Sequence, residues 1–119
     1  SSLGELATVA VIDASREGLP IRGLSSGFCV RIGRLSLATP LTRCVRSRAS
    51  FTGWVQISLN AMIAGDAEPE DFGIRLRMPQ GEMQATCRIL PDKSGDSRQE
   101  MDQERRAAID ITRVRLLFS

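Results

Sequence analysis

The chain has 119 residues, 42% of them apolar and 25% charged, with a formal net charge of +2. That composition describes one globular domain with room for a core, and its small charge excludes strong bulk attraction to nucleic acid or an anionic membrane. There is no His, and the three cysteines, Cys29, Cys44 and Cys87, are odd in number and widely spaced. A Cys/His zinc site, a Ser-His-Asp triad and a His general base are thereby excluded, and the thiols read as reduced core residues of a cytoplasmic protein.

From the N-terminus, "SSLGEL" lacks a basic region followed by an apolar segment, and no window approaches the roughly 18 apolar residues of a membrane span. The first strand follows so closely that the chain reads as a domain of a longer protein. Short apolar runs between turn residues predict strands at Ala7–Ile12, Gly18–Arg22, Gly27–Ile32, Leu35–Ala38, Leu41–Arg46, Trp54–Leu59, Gly73–Met78, Glu82–Leu90 and Thr112–Phe118. "PQGE" is the turn between the seventh and eighth. "EPED", Glu68–Asp71, reads as a solvated loop. After the flexible loop "LPDKSGDS", the spacing of Ser97 and Glu100 fits a capping box and predicts one helix over about 98–110. Regular strand spacing argues an antiparallel β-barrel or sandwich occupying 1–119 as a single domain.

An internal half-repeat, about 7–50 and 51–119, is suggested by "GFCVRI" (Gly27–Ile32) against "DFGIRL" (Asp71–Leu76), and by "VIDASREGLPI" against "VQISLNAMI". Fifteen of the sixteen basic residues are Arg, whose planar fork suits phosphate and carboxylate. The densest cluster is Arg43, Arg46 and Arg48. Asp13, Ser15 and Gly18 stand at the spacing Asp-x-Ser-x-x-Gly after the first apolar run, with Arg16 inside it. Asp and Ser can bond their own backbone and Gly supplies positive φ, so a plain turn is one reading of this spacing.

The other reading comes from a family likeness. The Asp13–Gly18 stretch with the following "LPI" and "GFCVRIG", and the later "CR-apolar-apolar" and "RVRLLF" runs, resembles the PilZ family, the bacterial cyclic di-GMP receptor domain. The resemblance implies a mainly β fold, a PilZ-like antiparallel β-barrel with one helix near the C-terminus. It also implies that Asp13, Ser15 and Gly18 contact the guanine and phosphates of cyclic di-GMP as a regulatory ligand, with Arg16, Arg43, Arg46 and Arg48 as candidate phosphate contacts. The family's arginine pair ahead of the barrel is absent from this sequence.

The function so implied is a non-enzymatic receptor module of a bacterial effector such as a cellulose-type polysaccharide synthase, needing no metal or cofactor. Its partner would be a neighbouring domain, and its place the cytoplasm, including the cytosolic side of an inner-membrane protein. Two alternatives stand beside it. One is a PilZ-like domain without ligand that serves as a protein-interaction scaffold. The other is an Arg-faced structural or nucleic-acid-binding β module using Arg31, Arg75, Arg77, Arg113 and Arg115, against which the near-neutral charge argues.

Overall fold

The computed structural model of the chain describes residues 7–65, 69–91 and 110–119. Five strands, β1 (Thr8–Ile12), β2 (Ile21–Leu24), β3 (Phe72–Met78), β4 (Gly81–Pro91) and β5 (Val114–Phe118), form one antiparallel sheet in the order β2-β1-β5-β4-β3. The helices among the described residues are α1 (Ser26–Arg31) and α2 (Arg48–Ala64), with a 3-10 turn at Leu41–Cys44 between them. The sheet is open, with β2 and β3 as its two edges, and the expected closed barrel is corrected accordingly. The reason is local: of the spans that would have supplied strands, Gly27–Ile32 is helical as far as Arg31, Trp54–Leu59 is helical, Leu41–Arg46 opens with the 3-10 turn Leu41–Cys44, and Leu35–Ala38 is irregular. The helix expected over 98–110 lies outside the described residues except for Asp110. No helix among the described residues is long and apolar enough to cross a membrane.

Alternation builds the strands. In β3, Ile74, Leu76 and Met78 are buried while Arg75 and Arg77 are exposed, and in β5 Val114, Leu116 and Phe118 are buried while Arg115 is exposed. The buried strand residues form one core with Phe28 of α1 and Phe51, Val55 and Leu59 of α2. Phe28 meets Phe118 edge to face at 5.5 Å between ring centroids. Within α2 the buried positions Phe51, Val55, Ser58 and Leu59 recur at helical spacing, which is the stripe a helix needs to lie on a sheet.

Capping sets the helix ends. The hydroxyl of Ser25 accepts the Phe28 N–H at 3.1 Å to start α1, accepts the Val9 N–H at 2.9 Å and donates to the Ala7 carbonyl at 2.7 Å, tying the helix start to β1. Gly65, at φ +79°, ends α2 in the left-handed conformation, its N–H turned back to the Ala61 and Met62 carbonyls. The two stretches aligned as a half-repeat thus take different forms, helix α1 against strand β3 and a strand with its turn against helix α2.

Candidate functional site

The turn after β1 is held by its own side chains. Asp13, buried at the strand end, accepts the Ser15 N–H at 3.0 Å and the Ser15 hydroxyl at 2.5 Å on the same oxygen, Oδ1. The Ser15 hydroxyl above all holds the Asp13 carboxyl below the usual carboxylate range, and its N–H, Arg22 and Arg16 act in the same direction against the cost of burial. Asp110 and Thr112 repeat the device before β5, with bonds of 3.0 Å and 2.5 Å to Asp110 Oδ1, and Ala14 N–H donates to the Ile111 carbonyl at 2.7 Å to link the two turns. Gly18 sits at φ +86°, where a Cβ would stand 3.0 Å from Cβ of Pro40. Only glycine meets both demands without strain. The Gly18 carbonyl then accepts Thr42 N–H at 3.2 Å, fastening the turn to the 3-10 segment.

That fastening opens a groove of about 1210 Å³ between the 14–19 turn, the 40–43 segment and the first turns of α2. Ser15, Arg16 and Gly18 line it from one side and Arg43 and Arg48 from the other. Five of the seven residues singled out in the sequence therefore share one concavity. Glu17 is the one carboxylate among the lining residues, set against three guanidinium groups, and Leu19, Pro40 and Val55 give an apolar floor. The start of α2 faces the same space. Its N-cap, Ser47, makes no side-chain capping bond, and its first turn holds no acid. A cation such as Arg48 there opposes the helix dipole by a few tenths of a kcal/mol, where a carboxylate would be favoured.

Asp13 and Arg46 stand apart from this groove. The Asp13 carboxylate is turned onto Ser15, and Arg46 pairs with Glu82 of β4 at 2.6 Å and lines a second concavity of about 780 Å³ together with Ser50, Phe72 and Gln84. Trp54 is half-buried, stacked on Phe72 at 5.2 Å and donating its Nε1–H to the Glu70 carbonyl at 2.9 Å, so both its face and its polar tip are engaged within the chain. Thr42, Ser47 and Gln56 of the groove are not singled out by the sequence, because strand-like alternation over 41–46 and 54–59 hides the start of α2. The pointer available is a stretch from Leu41 to Glu68 without proline, inside which Ser47 and Gly65 stand as helix start and stop signals. Among the described residues no cluster of His, Cys, Asp and Glu could hold a metal ion.

No known family's sequence model matches the chain, and no curated protein matches it. A solved structure does: the LOV domain from the Erythrobacter litoralis EL346 blue-light activated histidine kinase, at 11% identity and a TM-score of 0.57, over 95% of this chain and 94% of that one. The fold is therefore LOV-like, of the PAS type, an open antiparallel sheet with helices packed on it. This overturns the PilZ resemblance, and the cyclic di-GMP receptor reading built on that resemblance falls with it. The short Asp-x-Ser-x-x-Gly spacing and the amphipathic strands are features that any strand ending in a self-bonded turn can share.

Absorbing blue light takes a conjugated group that no side chain provides. Here the space between the helices and the sheet is occupied by Phe28, Leu41, Phe51, Val55 and Leu76, each buried to within 2% of full exclusion. Among the described residues no buried side-chain nitrogen or oxygen is left without a hydrogen-bond partner. The interior that the described residues form, apolar, packed and with no unmet side-chain donor or acceptor, does not fit such a chromophore.

Proposed function

We infer that the chain is a non-catalytic regulatory sensory module of LOV-like fold, set in the cytoplasm, which takes up a small molecule in the groove beside the Asp13–Gly18 turn and passes the change to a neighbouring domain. The likeness in fold to the sensory domain of a histidine kinase carries this reading. The groove supports it, because it joins three separate chain segments and a ligand there would bias their arrangement through its differential affinity for the two states. With the interior filled, the surface groove takes the role that an internal cavity would otherwise have.

A screen of metabolites by thermal denaturation of the purified chain tests the reading. A ligand at about a hundred times its Kd adds roughly 2.7 kcal/mol to a folded state that alone binds it. A sensory module of this size then melts higher by on the order of 10 °C, and its amide exchange changes in β1 and β5 as well as at the groove. A chain that no small molecule stabilises would instead be an interaction scaffold, a reading that the exposed Ile57 and Ile63 of α2 favour.

A further inference from the structure

The chemistry lining the groove is one-sided. Arg16 comes from the turn after β1, Arg43 from the 3-10 segment and Arg48 from α2, so the fold brings Arg16 to the same groove as two arginines some thirty positions further along the chain. Two other arginines are matched by acids: Arg46 pairs with Glu82, and Arg88 with Asp71 at 3.1 Å. In the groove three guanidinium groups share the lining with a single carboxylate, Glu17. Like charges brought together repel one another, and a chain selected for stability alone would intersperse them with acids. An arrangement that breaks the local rule in the wall of a concavity is what a binding site for the opposite charge looks like.

The geometry points to a small organic phosphate as the ligand of this groove, held by Arg16, Arg43 and Arg48, with its non-phosphate part on the Leu19, Pro40 and Val55 floor; the assignment rests on the sensory reading above and gives its ligand a chemical class. The guanidinium fork matches two phosphate oxygens at once, which favours phosphate over a single-point anion. A groove of about 1210 Å³ is far larger than a bare phosphate requires, and its floor is apolar where the rim is charged. The turn makes a firm platform, because Gly18 cannot be moved from Pro40 and Thr42 without breaking the bonds that join the two walls.

Pyrophosphate and adenosine diphosphate are the probes, titrated into the isotope-labelled chain and followed by backbone amide NMR. Saturable shifts confined to residues 14–18 and 42–53 are expected. The double variant Arg43→Gln, Arg48→Gln should bind pyrophosphate at least tenfold more weakly, while the equally charge-reduced Arg75→Gln, Arg77→Gln variant on the outer sheet face keeps the parent affinity. All four side chains are exposed, so folding is retained, and circular dichroism of each variant checks it. Tighter binding of adenosine diphosphate than of pyrophosphate supports an organic phosphate seated on the floor. Equal binding of the two probes would overturn the role given to the floor, and either no saturation or equal weakening in both variants would overturn the site. If the metabolite screen finds a stabilising ligand while both phosphates fail, the phosphate assignment falls and the sensory reading stands.

Discussion

Asp13 is the residue on which the turn depends. One of its oxygens takes both the N–H and the hydroxyl of Ser15, and the strand end, the glycine and the groove wall follow from that closure. Because these bonds hold the folded carboxyl below its ordinary value, the folded state binds the proton more weakly than the unfolded one. The stabilisation is therefore complete above about pH 4, the unfolded range for Asp, and is lost as the pH falls through the lower folded value. Asp13→Ala should melt below the parent at about pH 6, and the gap should close as both are acidified towards about pH 2. Thermal denaturation across that range measures it, and a gap of constant size would show that the carboxylate charge has no part in holding the turn.

This turn was readable as chemistry before the fold was known, since an Asx bond needs a side-chain oxygen two residues ahead of the N–H it accepts. What three residues could not convey was their setting. The opposite wall of the groove comes from Arg43 and Arg48, some thirty positions on, and their approach depends on Gly18 meeting Pro40 and Thr42. Such a contact leaves no periodic trace in the sequence.

At the scale of the elements, Ser25 binds more of the structure than its size suggests. Its hydroxyl caps α1 and also takes the Val9 N–H and gives to the Ala7 carbonyl, so removing it strands donors on both a helix and a strand. Ser25→Ala should destabilise the chain by about 1–2 kcal/mol, at the upper end for a helix cap. Urea denaturation reads this as a lower midpoint with unchanged slope. A loss near zero would mean that water replaces the hydroxyl on both elements.

The strands β1, β3, β4 and β5 were legible because each faces the core with every second residue, and the helices were not, for reasons visible in their sequences. In "WVQISL", Val55, Ile57 and Leu59 alternate with Gln56 and Ser58 and contain two β-branched residues, which is the signature of a strand. The fold buries Val55, Ser58 and Leu59 and leaves Ile57 70% exposed. Helical periodicity is broken there by a polar residue inside and an apolar one outside. In α1 the six residues Ser26–Arg31 are too few to display a period at all, and the cap that starts the helix is the single residue Ser25.

Over the whole molecule, the packed interior has a chemical signature in its three thiols. Cys44 and Cys87 are buried, and burial pushes both thiols up; Cys87, the more deeply buried, goes further, with Asp71 adding to the rise, while Arg43 acts against it at Cys44. Cys29 on α1 is half-buried. Iodoacetamide should therefore modify Cys29 first in the native chain, with Cys87 slower by roughly tenfold or more, and all three should react once the chain is unfolded. Mass spectrometry of the timed reaction decides it. Fast native labelling of Cys87 would mean that the interior opens readily, and the case against an internal chromophore would weaken.

The order of the strands in the sheet also bears on how the chain reaches this state. β5 lies at the centre, pairing Leu117 with Val9 of β1 on one side and with Arg88 of β4 on the other. Without it the sheet is two separate hairpins, β1 with β2 and β3 with β4. A chain emerging from the ribosome can form those hairpins early but can join them only when β5 appears, after closing a loop of more than a hundred residues between β1 and β5. Until β5 arrives both β1 and β4 present a bare strand edge, the state most open to pairing with the wrong neighbour.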